Sequence, residues 1–193
     1  FFLEGNNVLT AGTGNYYYSR RIGARPVGPA AGEFVDYPNT TTILGAAKLT
    51  GRLPSGTSIG LLGAVTDDEF ARTSIGNQQS DVQVTPRTIW SVARVIQEVG
   101  DQGSTVGAHL TAVHRTMSPD DPLAAILSRN AVTAGADTRL RFKDRTYEAR
   151  FNVGITHIDG EEPAIAGYQR RNSHLLQRID QSAIRFDPTR NSM

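Results

Sequence analysis

The chain has 193 residues with 20 basic and 19 acidic side chains, so it lacks the basic excess that is typical of nucleic-acid-binding proteins. It has no cysteine, which excludes disulfide bonds and thiolate metal sites. No apolar run reaches the ~18 residues of a membrane-spanning helix, although spanning β-strands need only about 9–11 residues. The many glycines and prolines and the scarcity of helical patterns favour a β-rich chain.

Residues 1–39 are read as an irregular lead-in, with a short strand over 16–19. Six further strands are predicted, at 41–53, 57–66, 81–97, 104–115, 131–142 and 147–155. They predict three antiparallel hairpins, over 41–66, 81–116 and 130–158. Pro86 interrupts the third strand, where a bulge would reconcile the facing of Val82 and Val84 with that of Arg94. A helical turn after Asp121-Pro122 and a short helix after Pro163 complete the prediction.

The clearest pattern is the strict alternation of apolar and polar residues in the last two strands, which is the period of extended backbone. One face is expected to hold the whole apolar set: Val132, Ala134, Ala136, Leu140, Tyr147, Ala149, Phe151, Val153 and Ile155. Its many small residues favour contact with lipid, because a sandwich core needs large side chains to reach a second sheet about 10 Å away. Tyr147, Trp90 and Phe142 are candidates for an interfacial aromatic girdle, or for core.

The two faces of this hairpin are expected to differ in their tolerance of arginine. Replacing Ala136 with Arg should block membrane insertion, whereas replacing Gly135 with Arg should be tolerated better.

The connections alternate between short and long, so a meander would collect its short turns at one end, as outer-membrane barrels do. The predicted fold is therefore all-β: an antiparallel up-and-down meander of six to seven strands, a section of an outer-membrane-type β-barrel. Because the smallest barrels have about eight strands, residues 1–193 are read as a single partial domain, an internal fragment with its meander over 40–193.

The chain resembles the bacterial DUF5916 domain, which usually follows a carbohydrate-binding module of the family 9 type. The resembling pieces occur in the expected order: FFLEG (1–5), YSRRIG (18–23), TILGAAKLTG (42–51), SIG (58–60), SH through QR (173–178) and FDPTR (186–190). The resemblance implies a β-barrel-like, outer-membrane domain without a catalytic signature. It also implies a carbohydrate ligand bound through a neighbouring domain.

Candidate binding residues are charged side chains near the family-like motif or on the predicted polar face: Arg20, Arg21, Lys48, Arg52, Arg139, Arg141, Glu148 and Arg150. Arg20 and Arg21 are read either as ligands for a carboxylate, phosphate or sugar, or as partners of wall acids such as Glu4. The other six residues are predicted either to line a lumen or to lie on the solvent-exposed face of a soluble sheet. The paired acids at 67–69, 120–121 and 161–162 are read as solvated loop charges, with a calcium site as the alternative.

No catalytic residue, metal site or cofactor is predicted, because the four histidines and the loop acids have no recognisable catalytic spacing. The leading hypothesis is a non-catalytic section of a bacterial outer-membrane barrel, in contact with membrane lipid, in a protein that handles polysaccharide. The alternatives are a soluble periplasmic or secreted β-sandwich that binds a ligand, and part of a carbohydrate-active hydrolase. No nucleic-acid partner is expected.

Overall fold

A computed structural model describes residues 6–10, 19–171 and 185–193, and within these ranges the chain forms two antiparallel sheets. The strands are β1 (Phe34–Asp36), β2 (Ile43–Arg52), β3 (Thr57–Thr66), β4 (Glu69–Ile75), β5 (Gln78–Thr85), β6 (Thr88–Val99), β7 (Ser104–Arg115), β8 (Asn130–Phe142) and β9 (Tyr147–Asp159). The helices are α1 (Asn6–Thr10) and α2 (Glu162–Gln169), with 3-10 turns at Ser19–Arg21 and Pro122–Ala125. Glu4 and residues 16–18 of the predicted first strand lie outside the described residues.

The larger sheet has six strands in the order β2-β3-β6-β7-β8-β9, so its neighbours follow one another in chain order. The predicted hairpins over 41–66 and 130–158 are confirmed, the latter with uninterrupted pairing of all 13 residues of β8 with β9. The hairpin predicted over 81–116 is confirmed for β6 and β7, that is, from residue 88 onward. The larger sheet is therefore an antiparallel β-meander, and the described part of the chain is all-β with few helices.

The third predicted strand, 81–97, is wrong as a single element. Pro86 is buried between β5 and β6, and the strand ends there instead of bulging. Proline has no N–H for a central ladder, so the chain leaves one sheet and enters the other at this point. Val84 and Arg94 therefore belong to different sheets, and their facing needs no reconciliation.

The smaller sheet, ordered β1-β4-β5, is not predicted by the sequence pattern. It uses residues 69–80, whose polar composition predicts a loop, and residues 34–36, which belong to the predicted irregular lead-in. Polar composition hides the hairpin because few residues of β4 and β5 are buried, namely Ala71, Thr73 and Val84. The tight turn has a left-handed Gly76 (φ 60°), which suits a two-residue hairpin connection.

The connections sort by length, as predicted. The short turns after β2, β6 and β8 lie at one end of the six-stranded sheet. The β4–β5 hairpin, the 3-10 turn at Pro122–Ala125 and α2 all lie in the connections at the other end. Asp121 caps the 3-10 turn, with its Oδ1 accepting from the N–H of Leu123 at 2.8 Å, so the predicted cap is confirmed. The helix predicted after Pro163 is α2.

The acids at 67–69 tie the two sheets together instead of standing free in solvent. Arg87 Nη2 donates to Asp67 Oδ1 at 2.8 Å, and this bond holds the pKa of Asp67 below its usual value. Asp68 Oδ1 accepts from the Arg87 N–H, and Glu69 Oε1 accepts from the N–H of Thr42. These contacts fix the junction at which the chain passes between the sheets.

Candidate functional site

The six-stranded sheet has an apolar face that is exposed from edge to edge. One row across it, each residue paired with the next, defines this face: Leu49, Leu61, Ala93, Leu110, Ala134 and Ile155. The largest side chains on β9 are Phe151, Val153 and Ile155, which are 62%, 70% and 73% exposed. A sheet normally buries its apolar side, so this sheet has the reverse polarity.

The register of β8 and β9 places all nine members of the predicted apolar set on this face, which confirms that prediction. Phe142 and Tyr147 pair across the strands next to the short turn, and their rings stack at 5.7 Å. Trp90 lies on the opposite face, where it packs on a buried cluster, so of the two alternatives predicted for it, girdle or core, the structure supports core.

Polar groups mark the far limit of the apolar face, at the end with the long connections. Asn130 bridges two neighbours there: its Oδ1 lies 2.5 Å from His114 Nδ1, and its Nδ2 donates to Asp159 Oδ2 at 2.9 Å. Between this polar row and the stacked rings, β8 keeps apolar or small residues on this face from Val132 to Phe142. The apolar face is therefore a bounded band.

The opposite side of the sheet, called the polar face here, carries a buried ion pair near its centre. Arg94 Nη1 lies 2.5 Å from Asp137 Oδ1, and the two side chains are 2% and 9% exposed. Arg94 reaches β8 across Gly107 of β7, where a Cβ would lie 2.7 Å from Arg94 Nη2. His109 lies over Gly135 in the same way. The two glycines make room for these large polar side chains.

Part of the polar face is covered by residues from the start of the chain. Leu9 of α1 and Ile22 form a buried cluster with Leu62, Ala64 and Val92 of β3 and β6. Gly60 provides the space for α1, because a Cβ there would lie 2.8 Å from Leu9 Cδ2. The apolar residues on this otherwise polar face are therefore explained by the segment that packs on them.

The structure brings together four of the predicted binding residues at the short-turn end of β8 and β9. Glu148 Oε2 accepts from Arg141 Nε at 2.8 Å, and its Oε1 accepts from Arg150 Nε at 2.5 Å. Arg139 Nε is 4.0 Å from the same Oε1. We call these four residues, together with Arg145 of the adjacent turn, the arginine cluster.

The other four predicted residues lie apart from this cluster. Arg52 pairs with Glu98 at 2.7 Å, and Lys48 lies partly buried on the polar face of β2. Arg20 and Arg21 are exposed in the first 3-10 turn, beside the buried Ile22. The eight residues thus do not form a single site.

The described residues contain no group of three or more His, Asp or Glu side chains arranged to hold a metal ion. Asp120 is exposed, Asp121 serves as a helix cap, and Glu161 pairs with Arg129 at 3.0 Å. Asp121 and Glu161 thus have structural partners, and the described acids that suggested a calcium site do not come together in one group. None of the helices described has the length and hydropathy needed to cross a bilayer.

Comparison with known proteins gives one match. The family described as "Domain of unknown function (DUF5916)" matches residues 1–184 of the chain. No curated protein and no solved structure matches.

Proposed function

The chain belongs to the DUF5916 family, and we propose that it forms a section of the wall of an outer-membrane β-barrel. The observation that carries the proposal is the reversed polarity of the six-stranded sheet. Its apolar face is exposed, whereas its polar face holds the buried Arg94–Asp137 pair and is partly covered by α1. A barrel in lipid needs this arrangement, with apolar residues outward and polar residues toward the lumen.

The size of the apolar face supports contact with lipid. Six strands about 4.8 Å apart and about 30 Å long present a face on the order of 700 Å². Soluble monomers rarely expose contiguous apolar patches larger than a few hundred Å². Small residues such as Ala93 and Ala134 alternate with large ones on this face, which lipid tolerates because lipid chains fill around them.

The height of the apolar band also fits a membrane. From Val132 to Phe142 the strand rises about 33 Å at ~3.3 Å per residue. With a strand tilt of about 45°, this length spans about 23 Å, close to the ~25 Å apolar band of outer-membrane barrels. The stacked Phe142 and Tyr147 rings would then lie at one membrane interface.

The edge of β9 supports a sheet that extends beyond the six strands. Ile158 and Met193 exchange both backbone hydrogen bonds, at 2.8 and 2.9 Å, and Ser192 bridges to Asp159. β9 therefore accepts a further antiparallel segment, as a strand inside a larger barrel wall must.

The covering of the polar face favours a lumen that is filled rather than open. Leu9 and Ile22 occupy part of this face. A covered face suits a role in surface anchoring or substrate capture, and we propose such a non-catalytic role within a bacterial protein that handles polysaccharide. The carbohydrate part of this proposal is supported by the family's usual neighbouring module alone.

Fractionation of cells that make the full-length protein tests the membrane location. We expect the protein in the outer-membrane fraction, released by detergent, and migrating faster on electrophoresis before boiling than after it. Recovery in the soluble periplasmic fraction, with no heat-dependent change in migration, would favour the β-sandwich alternative and contradict the barrel.

A further inference from the structure

We propose that the arginine cluster binds an oxyanion with two negative charges, such as a phosphate monoester. The cluster contains four guanidinium groups, of Arg139, Arg141, Arg145 and Arg150, and among the residues that the structure describes one carboxylate contacts them, that of Glu148. The proposed anion site rests on the proposed function only for its location at one end of a lumen. Anion binding by these residues does not depend on a membrane.

The pairing of the two strands is unusual for a purely structural set of charges. Arg139 lies directly opposite Arg150 across β8 and β9. Like charges in directly opposite positions destabilise a sheet, whereas opposite charges stabilise it. Glu148 of β9 contacts both of these arginines and supplies one negative charge; the pair therefore indicates a further countercharge beyond that of Glu148.

Glu148 lies at the centre of the arginine cluster, but its two carboxylate oxygens cannot accept hydrogen bonds from all four guanidinium groups. Its two oxygens already accept from Arg141 and Arg150, at 2.8 and 2.5 Å. Arg139 Nε is buried and has no hydrogen-bond acceptor within the part of the chain that the structure describes. Each guanidinium carries five N–H donors, so most of the donors in the cluster remain available.

A second pair of arginines lies beside the turn between β6 and β7. Arg141 Nη1 and Arg145 Nη2 lie 3.6 and 4.0 Å from the position that a Cβ would take on Gly103. Arg145 is held there through its Nε, which donates to the carbonyl oxygen of Gln102 at 3.2 Å. The absence of a side chain on Gly103 leaves space beside both guanidinium groups.

The side chains are accessible enough to receive a ligand. Arg139, Arg141 and Arg150 are 36%, 29% and 54% exposed. Guanidinium groups bind phosphate and carboxylate oxygens in a planar, bidentate manner. A doubly charged oxyanion with three terminal oxygens would engage more than one of them and offset much of their excess charge.

Calorimetric titration of the full-length protein tests the proposal with three probes: inorganic phosphate, glucose 6-phosphate and dihexanoyl phosphatidic acid. The probe that binds most tightly identifies a free, sugar-borne or lipid-borne phosphate as the source. We expect Arg139→Gln and Arg150→Gln each to weaken binding by about tenfold or more, because each removes a charge-assisted hydrogen bond.

Two further variants separate binding from a structural role. Arg52→Gln is the matched control, since Arg52 lies on the same face and has its own carboxylate partner, Glu98; its affinity should be unchanged. Glu148→Gln should bind more tightly, because it removes the competing anion. Failure of all three probes to bind, equal loss with Arg52→Gln, or weaker binding with Glu148→Gln would overturn the anion site. A protein that proves soluble would overturn the barrel alone, since the titration can still be made.

Discussion

Replacing Asp137 with Ala is expected to lower the free energy of unfolding by about 3–5 kcal/mol, because it leaves a buried guanidinium without its partner. Arg94 is 2% exposed and lies 2.5 Å from Asp137. Its guanidinium lies over Gly107, within the sheet's polar face. Denaturant unfolding of the full-length protein, followed by tryptophan fluorescence, measures the change.

Two comparisons test the cause of this loss. Replacing both partners together, in the double variant Arg94→Met/Asp137→Leu, should recover most of the stability, because no unpaired charge remains. Glu98→Ala removes the partner of Arg52 in an exposed pair and should cost only about 1 kcal/mol or less. Equal losses for Asp137→Ala and Glu98→Ala would show that burial of the Arg94–Asp137 pair has no energetic consequence.

Replacing Ala136 with Arg is expected to block insertion into the membrane, at a cost of about 2–4 kcal/mol if the residue lies near the bilayer midplane. Ala136 is exposed near the middle of the apolar face and pairs with Val153, which is 70% exposed. No described residue would crowd the new side chain, so a loss of insertion would report on the medium around residue 136. Folding into detergent micelles or lipid vesicles, read from the heat-dependent change in migration, is the measurement.

The control for Ala136→Arg must place an arginine on the polar face without a steric clash. Gly135→Arg was expected from sequence to be tolerated better, but a Cβ on Gly135 would lie 2.6 Å from the carbonyl oxygen of Val153. Asn152→Arg is the better control, since Asn152 is exposed on the polar face and pairs with Asp137. Asn152→Arg should insert as the natural protein does. Equal tolerance of the two arginines would remove the distinction between the faces.

The sequence predicted the meander well because period-two alternation reports directly on extended backbone. Every second residue is apolar from Val132 to Phe142 in β8, except Thr138, and from Tyr147 to Ile155 in β9, so the facing of both strands follows from the pattern alone. The short turns and sorted connections could be read for the same reason.

The smaller sheet and the buried ion pair could not be read in this way. β4 and β5 lack a long apolar face, so their alternation is confined to a few residues such as Ala71 and Thr73. Arg94 was taken as a break in register because its burial depends on a partner two strands away. Gly107 and Gly135, on the polar face of consecutive strands, were the available signal, since small residues leave room for large ones beside them.

The arginine cluster was predicted as a set of residues on one face, but not as a cluster. Alternation placed Arg139, Arg141, Glu148 and Arg150 together correctly. It could not show that Arg145 would join them, because the turn that carries it has left-handed backbone over three consecutive residues, including Arg145 itself (φ 66°). Such a conformation is uncommon outside glycine and is not encoded in a hydrophobic pattern.

Spin labelling along β9 tests most directly whether the apolar face meets lipid. This chain has no cysteine, so single cysteines at Phe151, Asn152, Val153, Ile155 and Thr156 place each label at a known position. In the full-length protein in lipid vesicles, we expect labels at 151, 153 and 155 to be relaxed by oxygen, which concentrates in the bilayer. Labels at 152 and 156 should be relaxed less by oxygen, because they face away from the lipid. Labels at 151, 153 and 155 that are immobile and inaccessible to oxygen would place the face against protein and contradict the outer-membrane wall.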